Sequence, residues 1–416
     1  MNTALLTFTV KPGRAALASG GQTAVEISFG NGKLSVNLFY DVRKDPLRME
    51  APASNGDSAR IELLPYRVSL FIRDKLADEN WPVGNLPLDG AASDGDMEIT
   101  VSELPEKKEA PAILRSGLDF PDIRMPGVNI GDCMPFSYGD DGRYHLFWLY
   151  DRHHHCSKWG LGAHQWAHAS TKDFRHWDEH PMAIPITDQL EGSICTGSTI
   201  RNADGAVEKF SSWYAVRMSD GSPARMTRSA SGDCIHWHKT GEFFTLPDRY
   251  HGPSARDPKA VYDGGKYHLL ITTSLTETGE GCLAHLVSDH SDMRDFTDLG
   301  PVLRTKPSTR PDGSTYYEQP ECPDWFAMGD YYYLVWSEGG RARYAFAKTP
   351  FGDEGWTIPD DNIIDCGNVP KSALCPWNGE RVFIGFVPEG GYAGSAVAAR
   401  TIQAPDGTLG FEKFTL

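Results

Sequence analysis

The sequence lacks two features that membrane proteins and nucleic-acid-binding proteins need. No segment approaches the roughly 18 consecutive apolar residues that span a bilayer. Positive charge is scarce, because 40 basic residues stand against 56 acidic ones in the 416-residue chain, a net charge of −16. Binding to nucleic acid or to an anionic membrane depends on Lys and Arg side chains that neutralise phosphates. We therefore expect neither partner, whereas a neutral partner such as a sugar remains open.

Paired cysteines and a secretory signal are not evident either, and helical periodicity is weak. The eight cysteines are scattered without a C-x-x-C pair, and the residues from Met1 to Leu5 form neither a basic segment nor a long apolar run. Unpaired cysteines in a long chain are typical of reduced thiols, and no secretory signal is evident in these first residues. These features predict a cytoplasmic protein. The weak helical periodicity predicts an all-β fold.

Residues 1–112 differ from the rest of the chain and predict a small β-sandwich. Strand-like segments alternate there with turn sequences such as Lys11-Pro12-Gly13 and Gly30-Asn31-Gly32. The charged segment Glu103–Pro111 contains few apolar residues and is typical of a linker. We expect an N-terminal sandwich over 1–112 and a second domain over 113–416.

A unit of about 60 residues recurs across the second domain. Each unit has an aromatic-rich apolar strand, and four of the units end in a turn and an outer strand with a closing aromatic residue. The apolar strands begin at Tyr144, Trp213, Tyr267, Tyr332 and Arg381, and the closing aromatic residues are Trp177, Trp237, Phe296 and Trp356. Repeated four-stranded sheets arranged radially form a β-propeller, which gathers an inner strand or loop of every blade at its axis. The repeats therefore predict a five-bladed β-propeller over 113–416.

Three acidic segments near the starts of these repeats supply candidate catalytic carboxylates, Asp132, Asp257 and Glu321. Hydrolysis of a glycosidic bond generally needs two carboxyl groups, one as nucleophile or base and the other as acid. Arg256 would keep the neighbouring Asp257 ionised. The apolar and aromatic residues after Glu321 would favour its protonated form, as suits a general acid. Any one of these acids could equally be structural, but their matched positions predict that they meet at the axis.

Five segments in the same order resemble glycoside hydrolase family 32, the invertase and fructanase family. The first resembles its Trp-x-Asn-Asp-Pro-Asn-Gly motif and the Tyr-His-Leu-Phe strand that follows. The others resemble its Trp-Gly-His-Ala, Phe-Ser-Gly-Ser, Arg-Asp-Pro and Glu-Cys-Pro-Asp elements. In this chain the segments are Gly131–Phe136 with Tyr144–Tyr150, then Trp159–Ile184, Cys195–Ser198, Arg256–Lys259 and Glu321–Asp324.

The resemblance implies a retaining glycosidase that uses no cofactor and no metal. Asp132 would be the nucleophile, Glu321 the general acid and base, and Asp257 a transition-state stabiliser that binds furanose hydroxyls. Retention places the nucleophile and the acid about 5–5.5 Å apart. The residues expected to bind substrate are Arg256, Thr196, Gly197, Ser198, His155, Trp159, Trp166 and Trp325. For the tryptophans, a place in the core of a blade is the alternative interpretation.

The chain also departs from the family pattern. Gly131 stands where the motif has Asn, Cys133-Met134-Pro135 replaces Pro-Asn-Gly, and the sandwich-like segment precedes the propeller instead of following it. The changes next to Asp132 affect the pocket for the first sugar. They therefore bear on sugar specificity rather than on the reaction class.

A histidine-rich segment raises the alternative of a zinc site, because His and Cys are the usual zinc ligands. The candidate ligands are His153, His154, His155, Cys156, His164 and His168. Their spacing matches no zinc site that we can name, and the family that the chain resembles uses no catalytic metal. We expect a polar loop beside the pocket, in which one histidine contacts substrate or tunes the protonation of Glu321.

The leading hypothesis is retaining hydrolysis of small β-fructofuranosides, such as sucrose or fructooligosaccharides, through a covalent glycosyl-enzyme intermediate. One alternative is a fructosyltransferase or an enzyme that forms or opens difructose anhydrides. Another is a glycosidase for a different furanoside, such as an arabinofuranoside. A non-catalytic sugar-binding propeller would have little reason to keep all three acids. The expected partner is a small carbohydrate, and the sequence leaves a homo-oligomer open.

Overall fold

The computed structural model of the chain is built almost entirely of β-strands. It describes residues 3–41, 46–64, 67–80, 85–104, 110–111, 113–114, 122–124, 130–150, 164–188, 190–203, 208–218, 220–388 and 392–413. Within these ranges the only helical element is the 3₁₀ turn Gly252–Ser254, which confirms the all-β prediction. None of the described residues belongs to a helix with the length and apolar character that crossing a membrane requires. The chain divides into two compact units, one formed chiefly by residues 1–108 and the other chiefly by the residues after them.

The first unit consists of two five-stranded antiparallel sheets whose apolar side chains share one core. Its strands are β1 (Ala4–Thr9), β2 (Gly13–Ser19), β3 (Gln22–Gly30), β4 (Lys33–Leu38), β5 (Leu47–Pro52), β6 (Ser58–Leu64), β7 (Arg67–Ile72), β8 (Lys75–Asn80), β9 (Ala92–Gly95) and β10 (Thr100–Ser102). One sheet has the order β10-β1-β6-β7-β8, and the other has the order β5-β4-β3-β2-β9.

The strands of this unit follow from alternation in the sequence. In β4 the apolar Leu34, Val36 and Leu38 are buried, and the residues between them are partly exposed. Alternation with a period of two places one face of a strand on the core. Asn31 and Gly32 join β3 to β4 with φ of 51° and 76°, which is the positive-φ pair that a tight two-residue hairpin needs.

The second unit contains the remaining strands. They are β11 (Ala110–Pro111), β12 (Ile113–Leu114), β13 (Asp122–Arg124), β14 (Ile130–Phe136), β15 (Tyr144–Tyr150), β16 (Gln165–Thr171), β17 (His176–Glu179), β18 (Glu191–Arg201), β19 (Phe210–Met218), β20 (Arg225–Ser231), β21 (His238–Phe244), β22 (Arg256–Asp263), β23 (Lys266–Ser274), β24 (Gly281–Ser288), β25 (Thr297–Arg304), β26 (Pro307–Thr309), β27 (Thr315–Tyr317), β28 (Glu321–Met328), β29 (Tyr331–Glu338), β30 (Arg341–Ala347), β31 (Ile363–Ile364), β32 (Asn368–Leu374), β33 (Arg381–Pro388), β34 (Gly394–Gln403) and β35 (Leu409–Lys413).

Consecutive strands of this unit pair into antiparallel sheets. Three sheets are separate and four-stranded, namely β18–β21, β22–β25 and β28–β31. The groups β14–β17 and β32–β35 repeat the same pattern. They belong to one larger sheet because Ile130 of β14 pairs with Gly394 of β34. Each of the five groups corresponds to one of the repeats in the sequence.

The first strands of the five groups contact one another in a closed circle. β14 contacts β18, β18 contacts β22, β22 contacts β28, β28 contacts β32, and β32 returns to β14. In every one of these strands the pairing register shifts close to the first residues, as at a β-bulge. Bulges redirect side chains and are frequent next to active sites. The five bulges therefore mark where the candidate site lies.

Candidate active site

Asp132 lies in the bulge of β14, where both oxygens of its carboxylate accept hydrogen bonds. Thr196 Oγ1 donates to Oδ2 at 2.7 Å, and Tyr392 Oη donates to Oδ1 at 2.8 Å. The residue is only 7% exposed. Two donors on one buried carboxylate hold its orientation, which is what a nucleophile requires.

Asp132 and Asp257 meet at the sulfur of Cys322. The Sγ atom lies 3.5 Å from Asp132 Oδ2 and 3.6 Å from Asp257 Oδ2. The backbone N–H of Cys322 also donates to Asp257 Oδ2 at 3.2 Å. Glu321 directly precedes Cys322 in the chain. The fold therefore brings together the three acids that the sequence singles out.

Asp257 is buried, and burial governs its charge. Desolvation raises the pKa of Asp257 to about 6, and the charges of Glu321 and Asp132 act in the same direction. Arg256 opposes this rise in the pKa, with Nε 3.6 Å from Oδ2, but it does not outweigh burial. Arg256 thus favours the ionised form of Asp257, as expected, but burial raises the pKa of Asp257 by more than Arg256 lowers it.

Glu321 is more open to solvent, with 39% of its side chain exposed. Its Oε1 accepts a hydrogen bond from Arg256 Nη2 at 2.8 Å. The same guanidinium donates to the carbonyl of Ser254 at 2.8 Å and to the side-chain oxygen of Gln319. The surroundings of Glu321 are thus polar, not the apolar setting predicted from the residues that follow it. Access to solvent suits a group that exchanges protons with a leaving group and with water.

Asp324, the last residue of the Glu-Cys-Pro-Asp segment, has a structural environment. It is 1% exposed and its Oδ1 lies 2.7 Å from Lys259 Nζ. The backbone N–H and the hydroxyl of Ser372 both donate to Oδ2 at 2.9 Å. Burial opposes ionisation, but these partners hold the pKa of Asp324 below its usual value. Asp324 therefore joins three consecutive repeats through β22, β28 and β32.

The segment 195–198 was expected to line the substrate pocket, and its residues have different neighbours. Thr196 reaches Asp132, as described above. Gly197 packs so closely that an added Cβ would lie 1.9 Å from the carbonyl oxygen of Trp213. The hydroxyl of Ser198 donates to the carbonyl of Pro258 at 3.0 Å and accepts from the N–H of Ala260 at 2.7 Å. Ser198 thus bonds one repeat to the next.

Trp166 and Trp325, which were expected to bind substrate, contact other parts of the protein. Trp166 is fully buried, and its indole N–H donates to the carbonyl of Cys195 at 2.9 Å. Trp325 stacks on Phe351 with ring centroids 5.6 Å apart, and its N–H donates to the carbonyl of Pro350 at 2.6 Å. Both placements favour the alternative interpretation, in which these rings pack within the sheets. Trp159 and His155, by contrast, lie outside the described residues.

Histidines of the first repeat form a cluster, although not the one considered for zinc. Ring nitrogens of His145, His168 and His180 lie within 4.8 Å of one another. Burial lowers the pKa of His180 to about 4 and that of His168 well below its usual value, so both imidazoles are neutral near pH 7. A similar pair recurs in the third repeat, where His268 Nδ1 lies 2.9 Å from His285 Nε2. The recurrence indicates a hydrogen-bonded pair of the repeat. His153–His155 and Cys156 lie outside the described residues.

Lys371 and Tyr392 contact the site but were not predicted from the sequence. Lys371 is 3% exposed, its Nζ donates to the carbonyl of Gly197 at 2.9 Å, and burial lowers its pKa. A signal for Lys371 was present in the triplets Asp257-Pro258-Lys259, Cys322-Pro323-Asp324 and Val369-Pro370-Lys371. The residue before each of these prolines has a positive φ, between 40° and 54°. Tyr392 carries no comparable signal.

The three candidate acids of this site lie in a segment that matches the model of a known protein family. The model of the glycosyl hydrolases family 32 N-terminal domain matches residues 130–353, a segment that contains Asp132, Asp257 and Glu321. The matched segment is more than half of the chain. The chain belongs to glycoside hydrolase family 32. This membership confirms the family that the five sequence segments indicated.

Individual members of family 32 are distant relatives. The sucrose-6-phosphate hydrolase of Escherichia coli is 25% identical over 297 residues, which are 64% of this chain and 58% of that protein. The raffinose invertase of Escherichia coli is 26% identical over 205 residues, 48% of this chain and 40% of the invertase. The chain thus spans roughly half the length of the curated relatives that it matches.

Solved structures of family 32 share the fold. Fructan 1-exohydrolase IIa of Cichorium intybus, solved with 1-kestose, has a TM-score of 0.56 at 18% identity, covering 72% of this chain and 60% of that one. The sucrose-6-phosphate hydrolase of Lactobacillus gasseri has a TM-score of 0.54 at 18% identity, covering 74% and 63%. These relatives combine a β-propeller with a β-sandwich. At such identities the likeness concerns the fold alone.

Proposed function

We propose that this protein hydrolyses small β-fructofuranosides with retention of configuration. The observation that carries the proposal is the meeting of Asp132 and Asp257 at Cys322, next to Glu321. Sucrose and fructooligosaccharides are the expected substrates. The names of the relatives add sucrose 6-phosphate and raffinose to the substrates worth testing.

In the first step, the Asp132 carboxylate attacks the anomeric carbon of the fructosyl unit. The glycosidic bond breaks as Glu321 donates its proton to the leaving oxygen, so a covalent fructosyl ester forms on Asp132. The ionised Asp257 accepts hydrogen bonds from ring hydroxyls, and these bonds strengthen as charge develops on the sugar. Arg256, bonded to Glu321, holds the acid in place.

In the second step, Glu321 accepts a proton from a water molecule. The resulting hydroxide attacks the anomeric carbon on the face that the leaving group has vacated, and the ester bond to Asp132 breaks. The products are fructose and the restored enzyme. Glu321 is partly exposed, whereas Asp132 and Asp257 are buried. This exposure supports the assignment of Glu321 as the group that accepts a proton from water.

We extend the proposal to the arrangement of the five repeats. The circle of first strands and the five matched bulges support a five-bladed propeller in which the active site lies at the axis. All seven cysteines in the described part of the chain carry free thiols. Free thiols support the cytoplasmic location expected from the sequence.

The test is product analysis with matched variants. The purified protein is incubated with sucrose, sucrose 6-phosphate, raffinose, inulin-type and levan-type oligosaccharides and difructose anhydrides, and the products are resolved by chromatography. We expect fructose from the wild type and a loss of at least about 10²–10⁴-fold in rate for Asp132→Asn and Glu321→Gln. Asp312→Asn, in an exposed turn, is the control and keeps full activity.

Each outcome assigns the reaction. Free fructose that persists in Asp132→Asn would refute the nucleophile assignment. Anhydride or transfer products without fructose would favour the transferase alternative. A wild type that is inert on every fructoside but active on arabinofuranosides would change the proposed substrate to an arabinofuranoside and leave the roles of the three acids unchanged. Reaction in the presence of methanol tests retention, which requires that the methyl fructofuranoside formed has the β configuration.

A further inference from the structure

A tyrosine of the fifth repeat reaches the acid of the first. The hydroxyl of Tyr392 donates to Asp132 Oδ1 at 2.8 Å and accepts from the backbone N–H of Asp132 at 3.1 Å. The ring stacks on His164, with centroids 5.1 Å apart, and meets Phe386 edge-on at 5.3 Å. The hydroxyl is therefore held at Asp132 by two hydrogen bonds and by a ring that is packed on two sides.

Gly131 provides the space for this hydroxyl. A Cβ added at Gly131 would lie 2.6 Å from Tyr392 Oη and 2.7 Å from the carbonyl oxygen of Leu149. Gly131 is not among the glycines with positive φ, so the backbone conformation itself does not require glycine. The short distances from an added Cβ to Tyr392 and Leu149 do require glycine. An asparagine here, as in the motif of the family, would displace the hydroxyl of Tyr392.

We propose that Tyr392 is a positioning residue for Asp132, and that Gly131 is small in order to admit its hydroxyl. This inference rests on the proposed function, in which Asp132 is the nucleophile. Thr196 holds Oδ2 and Tyr392 holds Oδ1, so that each carboxylate oxygen has its own donor and the carboxylate is orientated before substrate arrives.

The chemistry of the phenol fits this role. Burial and the neighbouring Asp132 hold the pKa of Tyr392 well above its usual value, so the phenol keeps its proton and remains a donor. A hydrogen bond donated to a carboxylate favours the ionised form, which is the nucleophilic form. Loss of the hydroxyl therefore both loosens Asp132 and makes its ionisation harder.

The first experiment is the kinetic comparison of Tyr392→Phe with wild type over a range of pH. The phenylalanine keeps the ring and removes one charge-assisted hydrogen bond, so we expect kcat to fall about 10- to 100-fold with little change in KM. Loss of this donor disfavours the ionised carboxylate of Asp132, so the acidic limb of the profile of kcat/KM should move to higher pH. A purely structural role for Tyr392 would not move this limb.

Tyr250→Phe is the matched control. Tyr250 Oη donates to Asp298 Oδ1 at 2.9 Å, so the variant removes a tyrosine–aspartate hydrogen bond of nearly the same length elsewhere in the same unit. We expect its kinetics and pH profile to match those of the wild type. Tyr392→Phe with an unshifted limb and a wild-type kcat would overturn the inference while leaving the proposed function standing. A wild type inert on all fructosides would overturn both.

A double-mutant cycle tests the part assigned to Gly131. Gly131→Ala pushes against the hydroxyl of Tyr392 and should lower kcat and shift the acidic limb in the same direction as Tyr392→Phe. In the Tyr392→Phe background the same alanine meets no hydroxyl but still meets the carbonyl oxygen of Leu149, so its effect on kcat should be smaller without vanishing. Independent effects that multiply would contradict the link between the two residues.

Discussion

Replacing Asp257 by Asn should make the protein more stable at neutral pH while it damages catalysis. The pKa of Asp257 rises from 3.8 to about 6, mainly because burial disfavours the charged carboxylate. A rise of about two units corresponds to roughly 3 kcal/mol, at 1.36 kcal/mol for each unit. The folded state therefore bears a cost of this order when Asp257 is ionised.

The direction of the effect with pH follows from proton binding. Because the pKa is higher in the folded state, the folded protein binds more protons than the unfolded chain between about pH 4 and pH 6. Stability contributed by this group is highest below pH 4 and is lost as the pH rises through 6. The amide of Asp257→Asn does not ionise, so the variant should gain up to about 3 kcal/mol at pH 7.5 and nothing at pH 3.5.

Asn also suits the position sterically. The φ of residue 257 is 54°, in the left-handed region that Asn adopts more readily than most residues. The amide oxygen can still accept the backbone N–H of Cys322, which the carboxylate accepts at 3.2 Å. Catalysis should fall nevertheless, because a neutral amide stabilises the charged transition state less well than a carboxylate does.

Urea unfolding followed by tryptophan fluorescence measures this gain. Ten of the eleven tryptophans lie beyond residue 108, so the signal reports mainly on the second unit. Wild type, Asp257→Asn and the exposed control Asp312→Asn would be compared at several pH values from 3.5 to 8. Equal or lower stability of Asp257→Asn at pH 7.5, or a gain that persists at pH 3.5, would refute the reasoning.

Two further predictions concern residues that hold the repeats together. Asp324→Asn removes the charged partner of Lys259, whose side chain is 17% exposed, so the free energy of unfolding should fall by about 1–3 kcal/mol; a loss below about 1 kcal/mol in urea unfolding would contradict the structural role. Gly197→Ala places a Cβ against the carbonyl of Trp213 and should cost about 1–3 kcal/mol. Gly410→Ala meets nothing within 4 Å and should change the same free energy by less than about 0.5 kcal/mol.

Local patterns in the chain predicted the elements that depend on local physics. The period-two alternation of Leu34, Val36 and Leu38 and the Asn31-Gly32 turn define strands and a hairpin, because burial of one face and positive φ are decided within a few residues. The repeated strands, the acidic segments and the family motifs likewise indicated which acids meet.

Electrostatic environments were less predictable. Arg256 stands next to Asp257 in sequence, yet its guanidinium also donates a hydrogen bond to Glu321, and the burial of Asp257 is set by the surrounding strands. The residues after Glu321 are mostly apolar, but alternate side chains of a strand point to opposite faces. Trp325 consequently stacks on Phe351, whereas the sequence had suggested that it binds substrate.

The sequence alone thus determined the all-β architecture, the repeats, the family and the three candidate acids. Each of these follows from residues that are close together in the chain or from a recurring pattern. The tertiary structure decided which other groups touch those acids. Tyr392 reaches Asp132 across 260 residues of chain, and Lys371 reaches Gly197 across 174. Such contacts arise because the last repeat returns to the first, where β34 pairs with β14 and β32 contacts β14 beside β18. Which residues form these contacts depends on how the strands pack, and no local sequence pattern predicts that packing.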